Sequence, residues 1–278
     1  MMFNIAKVLA DIEADSDQNI DLLADLLKIK SISTIPDYAD ECYQAAGWLK
    51  AFLDSFGMDA IIYESEGHPI VFSDYQTTRP EAKTILFYGH YDVQPVDPVS
   101  LWDSDPFDPV LSSIDNEPCI IARGASDDKG QLLTFLIALK YIKNEVGELP
   151  FSLKIILEGE EECGSKTLPI FLEDYKDKLS ADIAYVCDTG MWDKNTPAIT
   201  RSLRGLLSEE FKIIGPDRDL HSGEFGGVAW NPIRIITKIL SDVYDDEGKV
   251  TIPNFYDGGN EVNESIINSW KKLTFNEA

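Results

Sequence analysis

Four short stretches of this chain of 278 residues place histidine and carboxylate side chains where they can bind a metal ion or move a proton. The first is Gly89-His90-Tyr91-Asp92. A histidine and an aspartate two apart can act as a ligand and its orienting partner, the carboxylate gripping the ring nitrogen that the cation does not use. Taken alone, the pair reads more simply as a structural histidine capped by an acid. The second, Ala122-Arg123-Gly124-Ala125-Ser126-Asp127-Asp128-Lys129-Gly130, puts two adjacent carboxylates after a tight glycine turn. Such acids either cap a helix or present a bridging carboxylate, and the two readings stand level. The third, Leu157-Glu158-Gly159-Glu160-Glu161-Glu162-Cys163-Gly164-Ser165, holds four carboxylates within five residues. A solvated charge run is the ordinary account of such a block. This one, however, is joined to an apolar strand and closed by a glycine turn, and acids so crowded repel one another unless a cation neutralises them. The fourth is Asp188, directly after Ile183–Cys187.

Each cluster follows a stretch that reads as a strand. Thr84-Ile85-Leu86-Phe87-Tyr88, Phe151–Leu157 and Ile183–Cys187 are short, continuous apolar runs, the pattern of strands buried on both faces. In open α/β sheets the carboxyl ends of such strands are where ligands bind. His, Asp, Glu and Asp together are the N/O donor set that Zn²⁺ accepts, and their convergence favours a metal more than any one cluster does.

The elements that would hold these residues follow from periodicity. Residues 17–30 place Ile20, Leu22, Leu23, Leu26 and Leu27 on one helical face, and 36–56 carry a second helical pattern closed by Gly57. Ala60–Tyr63 and Ile70–Tyr75 read as short strands. Val93–Glu117, rich in Pro and Asp but anchored by Trp102 and Phe107, reads as an ordered loop. Gly130–Asn144 reads as a helix burying Leu132, Leu133, Leu136, Ile137 and Leu139. Strands alternating with helices predict an α/β domain over residues 1–199, a mixed, largely parallel sheet flanked by helices. From 200 to 278 the character changes. Leu206–Ile214 reads as a half-exposed strand and Asn231–Tyr244 as an amphipathic helix, which predicts part of a smaller α+β domain. The tail from Val262 does not read as a closing element of either.

Lys and Arg number 24 against 49 Asp and Glu, a formal net charge of −25. So acidic a surface repels phosphate backbones and anionic lipid, which argues against nucleic-acid and membrane partners and suits cations. No stretch approaches the ~20 apolar residues of a membrane-spanning helix. The N-terminus lacks the basic start and small-residue cleavage site of a signal peptide. The four cysteines, Cys42, Cys119, Cys163 and Cys187, form no CxxC, as expected of free thiols in a reducing cytoplasm.

With these motifs assembled, GHYDVQP, ARGASDDKG, EGEEECGS and the later DLHSG, the chain resembles the M20 metallopeptidases from about Asp21 to Gly227, in particular the branch that includes the carnosine dipeptidases. The resemblance implies a two-domain hydrolase: a catalytic α/β domain with two divalent ions, zinc as the usual metal with Mn²⁺ or Co²⁺ as alternatives, and a lid domain that mediates homodimerisation. Carried over residue by residue, it implies that His90 ligates one metal with Asp92 as its orienting partner. Asp127 bridges the two ions, with a cis Asp127–Asp128 peptide. Glu161 is then the general base, Glu162 a ligand of the other metal, and Asp188 completes the His90 site. The extra acid at Glu160 leaves a one-residue slip of that register open. His221 resembles the lid histidine that steadies the oxyanion in a partner's active site. The implied chemistry is amide hydrolysis of a small peptide, at a dipeptide bond or a C-terminal residue, by a hydroxide formed between the metals. Deacylation of an acyl-amino acid, of the succinyl-diaminopimelate type, uses the same motifs, and an inactive remnant that only binds or dimerises is a further reading.

One departure stands out. Family members are longer and end with another histidine ligand, whereas this chain holds only His68, His90 and His221. His68, in Glu66-Gly67-His68-Pro69, reads as a turn histidine. The chain is therefore expected to be an N-terminal portion with one complete metal site and one short of a ligand, and to be impaired unless a complementing C-terminal half supplies the rest.

Overall fold

A computed structural model describes residues 4–200, 202–259 and 262–273. The chain divides into two compact units, Met1–Arg201 and Ser202–Ala278.

In the first unit, helices α1 (Ile5–Ala14), α2 (Ser16–Leu27) and α3 (Ala39–Asp54) precede strands β1 (Ile61–Tyr63), β2 (Ile70–Tyr75) and β3 (Thr84–His90). A hairpin of β4 (Val110–Ile114) and β5 (Glu117–Ile121) leads to helix α4 (Lys129–Val146), strand β6 (Ser152–Glu158), helix α5 (Leu168–Asp174) and strand β7 (Ile183–Val186). The main sheet runs β1-β2-β6-β3-β7. β2 is antiparallel to both its neighbours, while β3 lies parallel between β6 and β7. The sheet is thus mixed, and its three parallel strands are those that precede candidate site residues. Their carboxyl ends open on one rim. The register sets His90 opposite Glu158, and Tyr88 opposite Val186, two residues before Asp188.

Residue alternation along β6 builds both layers. Leu153, Ile155 and Leu157 join Phe87 with Leu49 and Leu53 of α3 and Leu132 and Leu136 of α4 in one core. Ile156 faces the other way, with Ile70 and Phe72, against Phe171 of α5. Gly57, at φ +74°, ends the segment after α3, donating its N–H to the Asp54 carbonyl. No helix is long and apolar enough to cross a membrane among the described residues. The four cysteines are free, Cys42 buried and the others half-buried.

Several expectations are corrected. Ile183–Cys187 is not a buried strand. Among the described residues β7 is the sheet's edge, paired only to β3, and Ile183, Tyr185 and Val186 are exposed. An apolar run signals burial but not what covers it. Ile20 is exposed on α2, whereas Leu26 and Leu27 are buried, so only the end of that helix packs fully. The loop expected over Val93–Glu117 gives way to a strand at Val110, because Asp115 and Asn116 both take positive φ and close the β4–β5 hairpin.

The second unit holds helices α6 (Ser222–Phe225), α7 (Pro232–Asp242) and α8 (Glu264–Trp270). Asn231 caps α7, its side chain accepting the Ile233 N–H at 2.8 Å. Leu206–Ile214 is not a strand. It finds no pairing partner among the described residues, and a strand without a ladder has no hydrogen bonds to define it. In the described part of this unit the strand pairing is a single bridge between Tyr244 and Val250, and the short helix α8 forms in the tail, whose residues beyond Leu273 lie outside the described ones.

Candidate metal centre

His90 ends β3 with its side chain fully buried. Its Nδ1 lies 3.3 Å from Asp92 Oδ1 and 3.2 Å from the Asp92 carbonyl oxygen. A proton on Nδ1 therefore has two acceptors behind it, which turns Nε2 outward as the ligand nitrogen. Nε2 faces Asp127 Oδ1 at 3.2 Å and Asp188 Oδ2 at 3.8 Å. One atom from each of His90, Asp127 and Asp188 falls within 4.8 Å of the others. The Asp127 side chain is 59% exposed and that of Asp188 36%, so the group opens to solvent on one side.

The turn that carries Asp127 begins after β5. The Asp127–Asp128 peptide is cis. Asp128 is the residue before α4, yet its carboxylate makes no cap hydrogen bond, which removes the helix-capping account of that acid. It points instead to the strand end: Oδ2 accepts the His90 N–H at 3.2 Å, and the buried Oδ1 has no hydrogen-bond partner among the described residues. Gly130 permits this turn, since a Cβ there would lie 2.1 Å from the Ala125 carbonyl oxygen.

After β6 the chain enters a 3-10 turn, Glu161–Cys163. Asp92 grips it as well, Oδ1 accepting the Glu161 N–H at 3.2 Å and Oδ2 the Glu162 N–H at 3.0 Å. The four clustered acids separate by environment. Glu158 is buried, with Oε1 accepting from Tyr88 and Ser165. Glu160 is buried, its two oxygens taken by the backbone N–H groups of His68 and Thr167. Glu161 and Glu162 are half-buried beside the rim. Glu162 stands outside the three-residue ligand group and accepts from Gln94. His68 is a turn histidine, its Nε2 set 3.0 Å from the Ser33 carbonyl oxygen. His221 belongs to the second unit, where it caps α6 with Nδ1 accepting the Gly223 N–H at 3.0 Å.

The electrostatics show too much negative charge in one place. Burial lowers the proton affinity of His90, but Asp92, with Asp128 and Asp188, overrides it and pushes the ring up to about 10. Burial, opposed by His90 and reinforced by Asp188 and Asp127, lifts Asp128 to about 7. Glu161 and Glu162 are both raised, first by burial and then by neighbouring carboxylates, with His90 opposing. A divalent cation relieves this repulsion, and one imidazole nitrogen with two carboxylates is a donor set that fits Zn²⁺. The His, Asp and Asp group thus fits a divalent metal. Sequence reasoning passed over Gln94 and the orphaned oxygen of Asp128. Nothing in their residue types marks them, and only the position of Gln94 two residues after Asp92 hints at a role.

One nitrogen and two carboxylates, brought by the ends of β3 and β7 and by the turn before α4, meet at the rim of an α/β sheet as a donor set that could hold a metal ion. Comparison with known proteins makes the class specific. Residues 86–269 match Peptidase family M20/M25/M40, and the chain belongs to that family. It is 33% identical over 207 residues to the human Beta-Ala-His dipeptidase, covering 74% of this chain and 40% of the relative. It is 29% identical to the Cys-Gly metallodipeptidase dug1 of Schizosaccharomyces pombe, covering 92% of this chain and 56% of the relative. Among solved structures, an M20 family metallo-carboxypeptidase from Sulfolobus solfataricus superposes with a TM-score of 0.71 at 32% identity, over 93% of this chain and 57% of that one. Human carnosine dipeptidase 1 also gives 0.71, at 26% identity, over 98% of this chain and 59% of that one. The chain thus spans about half the length of the relatives it matches.

Proposed function

We propose that this chain carries the metal-binding and proton-transferring part of a dipeptidase. The observation that supports this reading most is the meeting of His90, Asp127 and Asp188 at the rim, with Asp92 behind the histidine. The names of several relatives specify dipeptides, Beta-Ala-His and Cys-Gly, and a small dipeptide is the substrate class in this reading.

His90, Asp127 and Asp188 would hold one divalent ion, and Glu162 beside Asp127 would help to hold a second, with zinc the expected metal. Bound there, such ions supply Lewis acidity and bring the pKa of a water toward neutrality. Glu161 is the base: its carboxylate takes the proton of the attacking water and returns it to the leaving amine. Burial and the neighbouring carboxylates raise its proton affinity, the direction that favours accepting a proton. Glu160 does not compete for this role, because backbone N–H groups already occupy both its oxygens. With Nδ1 accepting from Gly223, His221 keeps Nε2 as its donor, the group an oxyanion requires. In this reading the second unit is the lid, and it presents that donor to the active site of another copy.

The second ion has no histidine ligand on this chain, since His68 is engaged elsewhere and His221 lies in the second unit. Full activity therefore calls for a ligand from outside the chain, and the chain alone is expected to turn over slowly. The test is hydrolysis of Cys-Gly and β-Ala-His by the chain loaded with Zn²⁺, Mn²⁺ or Co²⁺. A low rate that vanishes with chelator and with Glu161→Ala supports the assignment. Cleavage that survives Glu161→Ala removes Glu161 as the base, and tight zinc binding with no turnover of either dipeptide leaves a binding remnant.

A further inference from the structure

Gln94 lies two residues beyond Asp92 and reaches across the rim to the Glu161–Cys163 turn. Its side-chain amide donates to a single residue, Glu162: Nε2 lies 2.8 Å from the Oε2 atom and 3.1 Å from the main-chain carbonyl oxygen. Asp92 holds the same residue by its backbone N–H. Three atoms of Glu162, one donor and two acceptors, are therefore fixed by the short segment Asp92–Gln94, which also carries the carboxylate behind His90. That segment is itself anchored. Val93 is buried and donates its N–H to the Ser31 carbonyl at 2.9 Å. Arg123 donates to the Pro95 carbonyl at 3.0 Å and lies over the Trp102 ring, whose Nε1 donates to the Val96 carbonyl at 3.1 Å.

An amide is suited to this task. A lysine at the same place would orient the carboxylate but cancel its charge. A glutamine donates hydrogen bonds without charge, so the carboxylate keeps all its attraction for a cation. Holding Oε2 also stops rotation of the carboxylate and leaves Oε1 as the free ligand atom. We infer that Gln94 is a positioning residue for Glu162, setting that carboxylate for the second cation while Asp92 sets His90 for the first. The inference rests on the reading of Glu162 as a cation ligand. Partners that orient ligands in this way typically change metal affinity by about 10–100-fold when removed.

The test is a calorimetric titration of the full chain with Zn²⁺, in wild type, Gln94→Met and Glu162→Gln, with thermal unfolding of each in metal-free buffer. Wild type should show a tight step and a weaker one. Gln94→Met keeps the length of the side chain and removes both hydrogens. It should weaken the second step by about tenfold or more, leaving the tight step and the metal-free melting temperature unchanged. If Glu162→Gln weakens the second step and Gln94→Met does not, the role of Gln94 falls while Glu162 remains a ligand. If Gln94→Met weakens both steps alike or lowers the metal-free melting temperature, Gln94 braces the fold generally and the specific role is overturned. If Glu162→Gln leaves the second step intact, or wild type has no second step, Glu162 is not a ligand and the reading beneath the inference fails with it.

Discussion

Proton and cation compete for the same nitrogen of His90. Asp92, Asp128 and Asp188 hold the ring's proton affinity up, near 10, against the opposing effect of burial. A metal must displace that proton to reach Nε2, so below pH of about 10 the apparent affinity falls roughly tenfold for each unit of acidification. Calorimetry between about pH 6 and 8 should show this slope or a steeper one, with release of one proton or more per ion, since Asp128, lifted to about 7, titrates in the same window. A flat profile would mean that the ion binds elsewhere. His90→Ala removes the only nitrogen in the ligand group and should abolish the tight step while leaving a weak, carboxylate-only association. Asp92→Asn is the subtler change. It leaves the carboxamide free to present N–H groups where Asp92 now accepts from His90 and from the Glu161 and Glu162 amides. Both cation steps should therefore weaken together, in contrast to Gln94→Met.

The elements bring these residues together through close approaches that tolerate little added bulk. At Gly130 a Cβ would strike the Ala125 carbonyl, a backbone atom that cannot swing away. Gly130→Ala should therefore push apart the turn bearing Asp127 and the start of α4, at a cost of about 1–3 kcal/mol in thermal or denaturant unfolding, with loss of the tight cation step. Unchanged stability and binding would show that the turn can relax. Lys129 fastens the same helix start. Fully buried, with its ammonium pulled down to about 7 by burial, it donates to the Leu26 and Ile29 carbonyls at 3.2 and 2.7 Å. At this scale the sequence was informative wherever a local pattern decided the outcome. β3, β6 and β7 were visible as apolar runs, α3 and α4 as helical stripes, and the strand-end positions of His90 and Asp188 followed from β3 and β7. What escaped was set by partners distant in sequence. β7 is apolar like β6, and only strand order makes it an edge. Leu206–Ile214 has strand composition and no ladder to join. The four acids after β6 look alike in sequence, and the amides of His68 and Thr167 are what take Glu160 out of the chemistry.

The two units of the chain differ in how they spend their apolar residues. The first buries a layered core on both sides of its sheet. In the second, Leu206 is 83% exposed and Trp230 76%, and Ile233 and Leu240 of α7 are exposed as well. Coil without ladder hydrogen bonds opens readily, so limited proteolysis should cut first between residues 202 and 217 and leave a resistant product close to the first unit, as read by mass spectrometry. First cuts within α3, β3 or β6 would contradict this division of stability. The resistant product should retain the tight cation step, because all three of its ligands lie in the first unit. The claim on which the functional reading depends is that those three side chains share one ion. Anomalous diffraction at the zinc edge from crystals of the zinc-loaded chain addresses it directly. The expected result is a peak in contact with His90 Nε2 and with one oxygen each of Asp127 and Asp188; a peak at any other residues, or none at this rim, would contradict it.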